Sequence, residues 1–348
     1  MRHRVADLLA FASGLLRASG LPADRADVVA EVLVESDLLG HTTHGLDMLA
    51  AYLKDLEAGR MEKTGEPATL SDHGSSVVWD GNYLPGPWLT RQAIALATAR
   101  LAGHPIAVVV IRRSHHIGCL QAYLKPVADA GRVIVLTCSD PSGAGVAPHG
   151  AVAPRITPNP LAAGFPTGGD PVLIDVSMST TTNAMTRRKY EAGERLPGPW
   201  LVDAQGRPSN DPAVLFGDAP GAVLPLGGLD LGHKGFALAL LVEALTSGLA
   251  GHGRADAPGR WGASVFLMLI DPERFGGRDA FVRETARLAE ICRRAPVAPG
   301  SPPVRLPGAA ALARRARQLA EGVELHPTAL PKLAPWAEKL GVRVPDAG

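Results

Sequence analysis

The amino-acid sequence predicts an α/β protein with helices on the faces of a mixed sheet and no Rossmann unit. Three observations carry this expectation. Residues 106–111 and 133–137 are apolar, strand-length runs separated by a helical pattern, a βαβ alternation. Residues 1–56 carry apolar positions at helical spacing. The best dinucleotide fingerprint, Gly143-Ala144-Gly145-Val146-Ala147-Pro148, has Pro148 in place of its third glycine and no helix after it. That stretch is a plain turn, so any nucleotide site lies outside the Rossmann scheme.

Leu8, Phe11, Leu15 and Leu16 make the first helical stripe, and Val28, Val29, Val32, Leu33, Leu38 and Leu39 continue it in a second helix that follows Pro22. Gly40 interrupts, and a third helix is expected over 43–56. Residues 76–79 before Asp80-Gly81-Asn82 read as a strand and turn. Helices are expected over 90–102 and 117–130. Residues 141–228 are rich in Gly, Pro and Thr and read as ordered loop around one strand at 172–176. A helix over 234–249, a strand over 261–270 and helices over 280–292, 309–320 and 327–340 complete the chain. The organisation expected is a helical part (1–72), a central α/β domain (73–230) and a C-terminal part (231–348) that packs with the N-terminal helices.

With 35 Lys and Arg against 34 Asp and Glu in 348 residues, the net charge is +1, which offers no global field for nucleic acid or anionic lipid. The three cysteines, Cys119, Cys138 and Cys292, form no CxxC pair, so a reducing cytoplasm is expected and a disulfide framework is not. No apolar run reaches the roughly 18 residues of a membrane span. The first residues read as an amphipathic helix and not as a signal peptide.

The histidines are the chemically informative residues. His41 and His44 lie three apart, on a helical face that Met48 and Tyr52 would continue, and Asp37 stands one turn before His41. His115 and His116 follow the strand at 106–111, where α/β proteins bind ligands and where an imidazole can carry a proton at neutral pH. Each is equally explained as a capping or core histidine. Zinc held by His41, His44 and His116 is a weaker alternative, since the spacing matches no zinc pattern. No GxSxG elbow supports a serine nucleophile. Arg187-Arg188-Lys189 suits a solvated loop better than anion recognition. Lys234 at a helix start would oppose the dipole unless an anion sits nearby.

Several segments together resemble the malate/L-lactate dehydrogenase-like oxidoreductases. Gly40-His41-Thr42-Thr43-His44-Gly45 resembles the family's G-x-x-S-H-G, and Ser114-His115-His116-Ile117-Gly118 its S-N-H-x-G. Thr157-Pro158-Asn159-Pro160-Leu161 is similar to T-N-P-L. Ile174-Asp175-Val176-Ser177 and Gly232-His233-Lys234-Gly235, with Val242-Glu243 following, resemble two further segments. The resemblance implies a non-Rossmann α/β fold, a homodimer, and NAD or NADP as cofactor. It implies hydride transfer to or from a small 2-oxo acid, 2-hydroxy acid or cyclic imine. It makes His44 the proton donor or acceptor with Thr43 as its hydroxyl partner. His116, Ile117, Gly118, Cys119, Leu120, Ile174, Asp175, Val176, Lys234 and Gly308 would contact the cofactor. Met48, Thr157 and Asn183 would face the substrate.

Two departures qualify this. The family usually has an Arg four residues after the catalytic His, where this chain has Met48. The Asp of the imino-acid reductases is missing from 180–188, which holds only Asn183. Another cation (Arg187, Arg188, Arg112 or Arg113) then replaces the clamp, or the substrate is not a simple 2-oxo acid. A cofactor-binding homologue with little catalysis is the other reading these losses leave open.

Overall fold

A computed structural model describes residues 2–346. The strands are β1 (Ala68–Asp72), β2 (Ser76–Asp80), β3 (Ile106–Ser114), β4 (Val133–Ser139), β5 (Leu161–Phe165), β6 (Val172–Val176), β7 (Leu201–Val202), β8 (Pro208–Ser209), β9 (Ala222–Val223) and β10 (Ala263–Ile270). The helices are α1 (Val5–Ala18), α2 (Ala23–Leu39), α3 (Leu49–Glu57), α4 (Gly86–Arg100), α5 (Leu124–Asp129), α6 (Asn183–Glu191), α7 (Gly228–Glu243), α8 (Arg278–Arg293), α9 (Ala309–Glu321) and α10 (Ala329–Leu340).

Seven strands form one sheet in the order β1-β2-β3-β10-β4-β5-β6. It is mixed, as expected: β2 and β3 run parallel, and the other neighbours are antiparallel. β10 lies at the centre, with Phe266 opposite both Val110 and Thr137. Its run ASVFLMLI is apolar because both faces are covered. On one face Leu267 and Ile111 join Leu89 and Ala93 of α4 and Val32 of α2. On the other, Val110 and Phe266 pack with Leu245 and Ala250 beyond α7.

α2 connects two cores. Val32 and Leu39 face the sheet, while Ala30, Leu33 and Leu38 face α1, α3 and α10. A helix buried on two sides carries apolar residues around most of its circumference, which explains the length of its stripe. The chain divisions at 72 and 230 are not divisions of the sheet. β1 precedes residue 73 yet pairs with β2, and β10 comes from the last third of the chain. The same last third sends α9 and α10 back onto α2, α3 and α1.

Several local expectations are corrected. The helix expected over 43–56 is a turn through Gly45, a 3-10 turn at Leu46–Met48 and then α3. The segment 117–130 is irregular to Cys119, with Gly118 in the left-handed region (φ 74°), 3-10 over Leu120–Tyr123, and helical only in α5. The region 141–228 also holds β5, α6 and a small sheet in the order β8-β7-β9. Lys234 does not open a helix. α7 begins at Gly228, so the dipole argument for an anion at Lys234 lapses.

Candidate active site

The site begins where α2 stops. Gly40 takes a left-handed conformation (φ 92°), and the His41 N–H bonds back to the Ser36 carbonyl at 2.8 Å, closing the helix. Buried Gln318 of α9 donates to the Asp37 and Leu38 carbonyls, both at 3.0 Å, and satisfies the end of α2. Asp37 does not orient His41. Its carboxylate turns inward and accepts the Leu46 N–H at 2.8 Å. Burial pushes its pKa up to about 7, against the pull of that N–H. Gly45 is required at this bend, because a Cβ there would lie 2.2 Å from the Asp37 carboxyl.

This turn, and not a helix face, presents His44. Its Nδ1 is 2.9 Å from the Thr43 hydroxyl, which fixes the ring. His116 lies alongside, with ring centroids 5.6 Å apart and planes 26° apart, and Trp261 stacks on His116 at 5.1 Å. The Tyr52 hydroxyl is 2.8 Å from His116 Nδ1, and the Gly118 N–H points to the same nitrogen at 3.3 Å, which assigns the His116 proton to Nε2. Burial, then the charges of His41 and Arg188, lowers the His44 pKa to about 4. Burial and the neighbouring imidazoles hold His116 well below the ordinary histidine range. Both rings are therefore neutral at neutral pH, unlike the proton-carrying imidazole expected at 115–116.

His115 is sealed inside. Its Nε2 is 3.0 Å from Asp55, which also binds Arg60. It supports the segment 115–119 from below, and Gly86 lets that segment pass, since a Cβ there would lie 2.3 Å from the His115 carbonyl oxygen. Farther along, Asp175 accepts the Gln121 N–H at 3.0 Å and the Cys119 thiol at 3.6 Å. Burial raises the Asp175 pKa, opposed chiefly by His41. The His41 ring donates from Nε2 to Gln121 Oε1 at 2.7 Å. His41, Cys119 and Asp175 bring nitrogen, sulfur and oxygen donors within 4.8 Å of one another, among the described residues the grouping that could hold a metal ion. It shares only His41 with the set weighed from sequence.

His44, Thr43 and His116 are thus neighbours, and Cys119 and Gln121 meet Asp175 of β6, while Ile117 and Leu120 are buried in the core against the sheet. Gln121 lines a cleft of about 480 Å³ together with Arg305, Leu306 and Gly308. Gly308 sits in the left-handed region (φ 85°) before α9, where a Cβ would be 2.7 Å from Leu173. An adjoining cleft of about 400 Å³ is ringed by Arg305, Arg314 and Arg317. A glycine-led helix start beside three guanidiniums offers N–H donors and positive charge, a chemistry suited to an anionic group.

Other predicted residues stand apart. Thr157 donates to Asn159 Oδ1 at 2.7 Å and accepts the Asp140 N–H at 3.2 Å. Asn183, exposed at the start of α6, lies against Gly145. Met48 is half-buried and packs on the core of α1–α3. Lys234 is exposed on α7. Sequence reasoning named Tyr52 only as a continuation of the His44 face, and it missed Trp261, Asp47, Gln121 and Gln318. Their roles depend on chain segments that meet only in the fold, and no local spacing marks them.

The family model for malate/L-lactate dehydrogenase matches residues 4–334. The chain belongs to that family. It is 34% identical to an L-lactate dehydrogenase of Cupriavidus necator over 97% of each chain. It is 30% identical to a (2R)-3-sulfolactate dehydrogenase (NADP(+)) of Chromohalobacter salexigens, over 96% of this chain and 97% of that one. The structure of a delta1-piperideine-2-carboxylate reductase from Pseudomonas syringae superposes with a TM-score of 0.84 at 27% identity, covering 97% of this chain and all (100%) of the other. The protein is an NAD(P)-dependent oxidoreductase of the malate, lactate and sulfolactate dehydrogenase family. Among the described residues no helix is long and apolar enough to cross a membrane.

Proposed function

We propose that the enzyme interconverts a small 2-hydroxy acid and its 2-oxo acid, or a related cyclic imine and amine, with His44 moving the proton. The observation that carries the reading is the His44 ring, tied by Thr43 and stacked on His116. A nicotinamide bound beside His44 and His116 would accept or supply the hydride. His44, neutral above about pH 4, is poised as the base that takes the hydroxyl proton during oxidation. In reduction it must first be protonated, and an anionic substrate beside it favours that state. Thr43 holds the ring, and His116 and Trp261 close the site on the side away from the substrate.

His44→Ala tests this. Turnover should fall about 10²–10⁴-fold, the usual worth of positioned acid–base catalysis, while binding of NAD(P)H, followed by Trp fluorescence, changes little. Near wild-type turnover would remove the assignment.

A homodimer is part of the same proposal. The inward stripe of α7 is small, with Gly232, Gly235, Ala239 and Val242 buried, while Leu231, Leu238 and Leu241 are exposed. This reverses the usual amphipathic order and leaves an apolar face for a second copy to cover. Light scattering should give the mass of two chains, and Leu238→Glu with Leu241→Glu should give one.

A further inference from the structure

The family's usual cation four residues beyond the catalytic histidine is replaced here by Met48, which packs into the N-terminal core. The sequence offers four other cations, and the fold separates them. Arg112 and Arg113 both bind Asp80, at 2.9 and 2.6 Å. Arg187 lies over the Phe216 ring at 4.9 Å. Only Arg188 reaches the turn that carries His44. From α6 it donates through Nη1 to the Thr42 hydroxyl at 2.8 Å and through Nη2 to the Thr42 carbonyl at 2.7 Å. Nη2 also meets Asp47 at 3.0 Å.

Two further facts point to a ligand. The Arg188 Nε–H is buried and has no hydrogen-bond acceptor, on a side chain only 13% exposed. Buried donors of this kind are normally satisfied. In addition, Asp47 does not neutralise its surroundings. Lys332 of α10 binds the same carboxylate at 2.8 Å, so two cations share one ion-paired anion; Asp37, which also faces Arg188, offsets the surplus positive charge only in part, since burial raises its pKa to about 7. Thr42 is two residues from His44, so this charge sits in the turn that holds the proton-transfer group.

We infer that Arg188 is the specificity residue of this enzyme, and that it anchors the carboxylate of a small 2-oxo or 2-hydroxy monocarboxylic acid while His44 serves the adjacent oxygen. In such a substrate the carboxylate and the reacting carbon are directly bonded, so the groups that recognise them must be neighbours. The inference rests on the reading of His44 as the proton-transfer group. It relocates charge recognition from the His44 segment itself to a helix more than a hundred residues away in the chain. The alternative role is purely structural, with Arg188 only pinning the Thr42 carbonyl.

The test compares each 2-oxo acid of a panel (pyruvate, 2-oxobutyrate, phenylpyruvate) with its methyl ester, and measures oxamate binding to the protein saturated with NADPH or NADH by calorimetry. Arg188→Met should raise KM for the acid about 100-fold, change kcat less than about tenfold, and weaken oxamate about 100-fold. The ester's kcat/KM should move less than about threefold. Arg188→Lys, which keeps the charge, covers the case in which the Met variant fails to fold and should raise the acid's KM about tenfold. Adding Met48→Arg to Arg188→Met should recover at least about tenfold in KM. Equal loss for acid and ester would show a pinning role and overturn the inference, as would unchanged KM and oxamate affinity. If the wild type turns over no acid yet binds oxamate only with Arg188 present, the anion site stands and the hydride-transfer reading falls. If it neither binds nor turns over, both fall.

Discussion

The two histidine segments are built on the same plan with opposite electrostatics. Each is non-helical and glycine-bounded, and each rests on a buried aspartate: Asp37 under the turn of His44, Asp55 under the strand exit of His115 and His116. Asp37 forms no salt bridge; its hydrogen-bond partner is the Leu46 N–H, and the Arg188 charge acts on it from farther off. Asp55 holds His115 at 3.0 Å and Arg60 at 2.6 Å. Burial raises the pKa of Asp37 to about 7. In Asp55, whose carboxyl is less deeply enclosed, desolvation is outweighed by the bonds from His115 and Arg60, and the carboxyl stays below its ordinary range. Depth of burial and the partners available together set the charge of a buried acid. The ion-paired segment makes a rigid floor for the site. The unpaired one leaves the His44 turn held by a carboxyl that gains a proton near neutrality.

The largest effect expected on this contrast is from Asp55→Ala. It strands the buried His115 ring and frees Arg60, at a cost of about 2–3 kcal/mol. Thermal unfolding should show it directly, and the His116 side of the site should lose order, with weaker NAD(P)H binding. Stability unchanged in Asp55→Ala would break the comparison. A smaller effect, with a distinctive pH signature, follows from Asp37→Asn. A carboxyl whose folded pKa is raised favours the folded state only while protonated. Its contribution is complete below about pH 4 and is lost as pH rises toward 7. The asparagine keeps an acceptor for the Leu46 N–H and carries no charge. Its melting temperature should gain on the wild type by a few degrees between pH 5 and pH 8. Parallel melting curves across that range would mean that Asp37 is paired after all.

Much of the architecture is legible in the residues because burial writes itself locally. The runs at 106–111, 133–137 and 172–176 are strands, and the C-terminal helices begin and end within a few residues of their sequence limits. The failure of the glycine fingerprint correctly removed the Rossmann arrangement. The errors have a common cause. Residues 43–45 and 117–119 carry helical spacing but are held extended or turned by distant partners, Asp37 and Gln318 on one side, Asp55 and Tyr52 on the other. Propensity is a weak prior against such contacts. In the site, His44 and Thr43 are adjacent in the chain and could be paired from sequence. Trp261 is far from them in the chain and could not.

The sequence by itself determined the fold class, the two histidine segments and the family, because each is a pattern of neighbouring residues. Tertiary structure alone decided which cation stands beside His44 and which aspartate is ion-paired. Those choices depend on through-space distances of a few ångströms between segments, and a charge acts across space without regard to its place in the chain.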